Sequence, residues 1–390
     1  MERTTVRRAG TMILAALACA AGQGAAALEV AVTYLERATV RPPVLSNLDE
    51  RPDDLGLAGA RLALEDNLSS GRFLGHDYRL EVVRVPADAP FDPAALSGAD
   101  LIIADAPPAD LLALADARPD ALILNATAAE DELRGAGCRA NLLHATPSDA
   151  MLADALAQFV AARRWDDLAL VVGPRDRDAA QAEGYRRALT KFGLRVGAEK
   201  AWPFDADLRR SAGAEVPLFT QGLGDHDLLI VADAAGDFAR YVPYNTWLPR
   251  PVAGAAGLRA RGWAPVVEQS GAAQLQSRFH ELAARDMTPE DFGAWAAMRA
   301  LGEAVTRTGA ADAAGLRAHL LSEGFALAGF LGRPLSFRDW DGQMRQPIPL
   351  VTAEALVGQA PIEGFLHETN EMDTLGIDRR ESACQAFGKG

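Results

Sequence analysis

Apolar and polar positions along this chain alternate between two periods, and that alternation predicts its architecture. Leu28–Tyr34 reads as a first strand, and a helix runs from about Asp54 to Leu68 with Leu57, Leu64 and Leu68 on one face. Tyr78–Val85 alternates as a half-buried strand does. The runs 100–104 and 121–125 are short and almost wholly apolar, as strands covered on both faces are, with a helix from Leu111 to Ala117 between them. After Pro147 the pattern repeats. A helix over 150–164 buries Met151, Leu152, Ala155, Leu156, Phe159 and Val160. Strand 168–172, helix 179–192, and strands 195–201 and 228–231 follow. Helices over 279–285 and 290–307 come next, the second with Phe292, Trp295, Met298, Gly302 and Val305 on its buried stripe. Beyond Gly329 the pattern turns β-like. A hairpin with Trp340-Asp341-Gly342 at its turn is expected to extend the second sheet.

This βαβ succession predicts an α/β chain with mostly parallel sheets flanked by helices. Its length suits two lobes. Ligands of such sheets bind beyond the carboxyl ends of the strands. The loops there carry Asn125 and Thr127, then Arg175, then Asp233. The stretch 241–263 adds Tyr244, Trp247, Arg250 and Trp263, rings and guanidiniums suited to stacking on and clamping a planar anion.

The N-terminus changes the picture of compartment. Arg3, Arg7 and Arg8 precede an apolar run over 11–21 and the small residues Ala25-Ala26-Ala27, the pattern of a leader cleaved before Leu28. The run is too short to span a bilayer, which needs about 20 residues in a helix. The leader's three Arg and one Glu carry +2, so the chain's −14 becomes −16 on cleavage. So acidic a protein is a poor general ligand for nucleic acid. Cleavage also removes Cys19 and leaves Cys138 and Cys384, which in an oxidising compartment form either a disulfide or two buried thiols.

Motifs of catalysis are missing. There is no H-E-x-x-H, G-x-S-x-G, P-loop or strand-linked G-x-G-x-x-G, and the six histidines lack metal-ligand spacing. Asp176 with Asp178, and Asp339 with Asp341, read as turn residues. The chain is expected to be neither an enzyme nor dependent on a cofactor.

The order of parts resembles a type I periplasmic binding protein: a leader, a βα lobe, a crossing near His144–Pro147, a second βα lobe, and a return helix with a hairpin. The branched-chain amino-acid receptors of ABC transporters are the nearest large group. The strings Leu133–His144, Met151–Gln158 with Arg164-Trp165, Gly271–Phe279, and Asp373–Gly376 with Glu381–Cys384 resemble receptors encoded with PQQ-dependent alcohol dehydrogenase systems.

The resemblance implies lobe 1 at 28–146 plus 265–322, lobe 2 at 147–264 plus 323–360, and a tail at 361–390. It implies a monomeric periplasmic receptor that closes on a small ligand and passes it to an ABC permease. The ligand is expected to be PQQ or a metabolite of alcohol oxidation, and a PQQ-dependent dehydrogenase is a candidate partner. Tyr34 and Arg37, in the loop after the first strand, join Asn125 and Thr127 as expected ligand contacts. Amino-acid binding is one alternative, although the serine-rich cradle of such receptors is not evident. The other is a sensor or cofactor-handover role without transport.

Overall fold

The computed structural model describes residues 27–39, 51–203 and 211–388, so the leader lies outside the described residues. Five parallel strands build the first sheet: β1 (Leu28–Arg37), β2 (His76–Val85), β3 (Leu101–Asp105), β4 (Leu122–Asn125) and β5 (Leu142–His144), in the order β2-β1-β3-β4-β5. Helices α1 (Leu57–Leu74) and α2 (Pro108–Ala117) connect them. The apolar runs of β3 and β4 are buried on both faces, which is why they show no polar alternation.

The second sheet comprises β6 (Leu168–Val172), β7 (Val196–Ala201), β8 (Leu228–Ala232) and β9 (Val252–Gly254), in the order β7-β6-β8-β9 and again parallel. Helices α3 (Asp149–Arg163), α4 (Asp176–Lys191) and α5 (Ala212–Gln221) accompany it. Helix α5 escaped the periodicity reading because Pro217 lies inside it.

The chain then leaves through a short strand β10 (Arg259–Ala260) to the helices α6 (Ala272–Ala283), α7 (Pro289–Thr308) and α8 (Ala313–Leu320). Helix α6 begins well before Phe279, where the sequence pattern starts it. The predicted stripe of α7 is buried throughout, and Trp263, Phe292 and Trp295 stack in series, at 4.8 and 5.5 Å between ring centres. Helices α1 and α7 touch backbone to backbone. A Cβ on Gly59 would lie 1.8 Å from the Asp291 carbonyl oxygen, so only glycine permits that approach.

The hairpin forms as expected but belongs elsewhere. Strands β11 (Leu327–Ala328), β12 (Pro334–Phe337) and β13 (Met344–Arg345) make a separate antiparallel sheet, not an addition to the second one. Phe325, Leu327, Leu335, Phe337 and Met344 join the first core. Residues 325–344 therefore pack with the first lobe, not with the second, where the sequence reading put them. Strand β14 (Ile348–Val351) pairs with β10, and β15 (Leu356–Ala360) with β14. There Ile348, Leu350 and Ala360 enter the core built on α3 and the second sheet.

The tail spans both lobes. Leu375 sits in the second core, and Gly376 N–H donates to Asp154 of α3 at 2.7 Å. Farther on, Cys384 is disulfide-bonded to Cys138 of the first lobe, and Phe387 packs on the first core.

Candidate functional site

Several residues at the strand ends serve the loops themselves. Asn125 Oδ1 accepts from the backbone N–H groups of Thr127 and Ala128 at 3.1 and 2.9 Å, and its amide donates to Ala128 O. Asp233 Oδ2 accepts from Phe238 and Ala239 N–H, both at 2.8 Å, capping the following turn. Arg37 is committed to Asp110 at 2.8 Å, and Arg175 to Asp237.

Tyr34 and Thr127 do converge, on Asp105 at the end of β3. Thr127 Oγ1 donates to Asp105 Oδ1 at 2.7 Å. Burial raises the Asp105 carboxyl above the usual range despite that bond. Tyr34 is fully buried, with no hydrogen-bond partner for its hydroxyl among the described residues. Burial, and then the Asp105 charge, push that hydroxyl far above its ordinary value, so it stays a neutral donor.

The aromatic loop is not at the strand ends. Trp247 N–H donates to Thr220 Oγ1 of α5 at 2.9 Å, Arg250 pairs with Asp225 at 2.8 Å, and Tyr244 is wholly exposed. Trp263 is a core residue with no exposed surface, its Nε1 donates to Gln276, and its ring underlies the second of the cavities described next.

Two cavities flank strand β10, where the chain crosses between the lobes. Arg259 pairs with Val351 and Ala260 with Leu350, and Arg261 N–H continues the ladder to Pro349 O at 3.0 Å. Alternation along this strand sends Ala260 to one side and both arginines to the other.

The cavity on the Ala260 side, of about 500 Å³, lies between the 3-10 turn Asp131–Arg134 of the first lobe and helices α3 and α4 of the second. Both of its arginines are already paired. Arg177 binds Asp149 at 2.6 Å and Glu130 at 3.5 Å, and Arg187 binds Asp131 at 3.3 Å. This side is a latch between lobes.

The cavity on the arginine side, of about 360 Å³, has Leu55, Met287 and Pro289 of the first lobe as walls, Val351 of β14 opposite, and Trp263 below. Arg259 and Arg261, with the acids Asp286 and Glu290, supply its charge. Neither guanidinium has an ion-pair partner among the described residues, and Arg259 Nε is buried with no hydrogen-bond partner. A paired Arg-Ala-Arg with no acid beside it, over 259–261, was the available sequence signal. None of residues 241–250 lines either of these cavities. Among the described residues no group of three or more His, Cys, Asp or Glu is placed to hold a metal, and no helix is long and apolar enough to cross a membrane.

Comparison with known proteins gives the chain its kinship. No curated protein matches it at a significant level. A branched-chain amino acid ABC transporter periplasmic ligand-binding protein from Burkholderia xenovorans LB400 superposes with a TM-score of 0.70 at 17% identity, over 92% of this chain and 100% of that one. The leucine-, isoleucine-, valine-, threonine- and alanine-binding protein of Brucella ovis, in a closed conformation, gives 0.65 at 14% identity, over 88% and 93%. A solute-binding protein of an ABC transporter from R. palustris, in complex with benzoate, gives 0.62 at 13%, over 92% and 99%. At these identities the likeness concerns the fold. The family model described as periplasmic binding protein matches residues 94–356, more than half of the chain, and this protein belongs to that family.

Proposed function

We propose that the protein is an exported, monomeric solute receptor that binds a small ligand between its lobes and hands it to an ABC permease. The observation that carries this reading is the cavity beside β10, walled by Leu55 and Pro289 from one lobe and by Val351 on the crossing side. A ligand touching both sides favours their closure, and the permease reads the closed form.

The matched structures named for branched-chain amino acids and benzoate supply the first candidate solutes for this chain. PQQ, a planar tricarboxylate, is a third, and a PQQ-dependent dehydrogenase would then be the neighbour in function. A handover role without transport uses the same cavity and differs only in partner. Among the amino-acid features, Thr127 and Asp105 offer a hydroxyl and a carboxylate at the first sheet's edge, which supports keeping leucine in the panel.

The test is thermal shift and calorimetry on the chain from Leu28 onward, with leucine, benzoate, PQQ, ethanol and glucose. A ligand at a hundred times its Kd stabilises the folded state by about 2.7 kcal/mol, which a melt resolves. Silence toward the whole panel contradicts the receptor reading.

A further inference from the structure

We infer that Arg285 is a positioning residue of the receptor: by binding Asp54 and Asp291 it holds together the two first-lobe walls of the cavity beside β10. The inference rests on the receptor reading above and adds residues that set affinity from behind the cavity wall.

Both walls are irregular chain that must be held in place. One is the loop before α1, where Pro52 and Leu55 face the cavity. The other is the turn from α6 into α7, where residues 286–290 face it. None of Asp54, Arg285 and Asp291 lines the cavity, yet each is next in sequence to a residue that does.

Asp291 fixes the starts of two helices. In α7 it stands three residues after the N-cap Thr288, and its carboxylate accepts from the Thr288 N–H at 3.0 Å, closing a capping box. The matching position of α1 is Gly59, which offers no side chain because α7 packs against it there. Asp291 serves that helix as well. Its Oδ1 accepts from the N–H of Gly56, the N-cap of α1, at 2.8 Å. One fully buried carboxylate thus caps both helices whose starts border the cavity.

Arg285 couples this carboxylate to the loop. Its two terminal nitrogens donate to Asp291 at 2.6 and 2.9 Å, while Nε and one terminal nitrogen donate to Asp54 Oδ1 at 3.1 and 3.0 Å. A planar guanidinium meets two carboxylates at once in fixed directions, which a lysine ammonium does not. The Asp291 carboxylate is buried and that of Asp54 is partly exposed. Losing Asp54 therefore releases the loop and leaves the helix caps in place. Walls set in advance lower the ordering cost of binding, so a released loop weakens the ligand.

The experiment titrates leucine, benzoate, PQQ, ethanol and glucose by calorimetry into the chain from Leu28 onward. The proteins are the wild type, Asp54→Ala, Arg285→Lys and the double variant. For a solute that the wild type binds, each single variant is expected to bind about tenfold more weakly. The double variant should lose no more, because both changes cut the same link. Unliganded Asp54→Ala is expected to melt within about 2 °C of the wild type, since a partly exposed ion pair adds little to stability. Amide exchange over 52–58 should quicken in both single variants while α3 and α4 keep their protection. Wild-type affinity in Asp54→Ala and Arg285→Lys overturns the inference and leaves the receptor standing. Weaker binding that comes with a much lower melt and faster exchange throughout the chain overturns it too, since the residues then serve stability alone. Failure of the wild type to bind any of the five solutes overturns the receptor reading and this inference with it.

Discussion

Arg134 Nε donates to Gln343 Oε1 at 2.8 Å, joining residues 209 positions apart at the junction of the two lobes. Arg134 also donates to the carbonyls of Ala128 and Thr146, at 2.8 and 3.1 Å, and Gln343 Nε2 donates to Thr146 O at 2.9 Å. The chain at Thr146 and the chain at Gln343 are thus tied to one buried guanidinium. Burial lowers its pKa to about 10, which still leaves it charged at neutral pH.

Arg134→Met fills the same space but leaves these acceptors without a donor. Unpaired buried polar groups cost about 1–3 kcal/mol each, with partial relaxation. We expect a loss of about 3 kcal/mol in urea unfolding. A variant within 0.5 kcal/mol of wild type would show that the crossings do not depend on this residue.

His144 gives the protein an acid sensitivity. Asn125 Oδ1 is occupied by two backbone N–H groups, so its amide nitrogen faces His144 Nδ1 as a donor, at 3.1 Å. The ring is therefore neutral. Burial, and then the Arg134 charge, hold its pKa well below the ordinary value. The unfolded chain takes up a proton below about pH 6.5 that the folded chain refuses, so stability falls as pH drops through that window. The wild type should lose up to about 1.4 kcal/mol per pH unit more than His144→Gln between pH 6.5 and 5. Parallel slopes in urea titrations of the two proteins would count against this.

The Cys138–Cys384 bond closes a separation of 246 residues. It also completes a strap, since Lys191 of α4 holds the carbonyls of Thr374 and Gly376 at 2.9 Å a few residues before the bridge. Cys138→Ser with Cys384→Ser should cost about 2–5 kcal/mol. It should also enlarge the unliganded protein in solution scattering, because one tether across the lobes is lost. An unchanged radius of gyration would show that the tail does not restrain opening.

The displaced aromatics yield a contrast. Tyr244→Ala and Trp247→Ala should leave solute affinity unchanged, because neither ring lines the cavities beside β10. Trp263→Ala removes a buried ring stacked on Phe292 and should cost about 3–5 kcal/mol of stability. Calorimetry and melts on the three variants check both halves, and a tenfold weaker affinity for Trp247→Ala would bring the loop back into the site.

What the sequence revealed followed the physics of each element. Strands β3, β4, β6 and β8 are apolar runs because both faces are covered, and α7 shows its stripe because one face packs. Helix α1 runs on to Leu74 through the polar stretch Asn67–Arg72, where side-chain pattern alone suggests an end. The hairpin was legible as a hairpin, since its turn is local, but which core its side chains join is a long-range matter. The same holds for the site. Arginine beside tryptophan at 250–263 reads as a clamp, yet Arg250 has a partner and Trp263 is interior. That Arg259 and Arg261 share a cavity with Asp286 and Glu290, residues distant in sequence, becomes visible only in the folded chain.

The most direct test of the account is solution scattering from the chain beginning at Leu28, with and without saturating amounts of whichever panel solute binds. A receptor whose lobes close on a ligand at β10 must become more compact, so the radius of gyration should fall with the same midpoint as the calorimetric titration. A ligand bound at full occupancy with no change in that radius would contradict closure between the lobes.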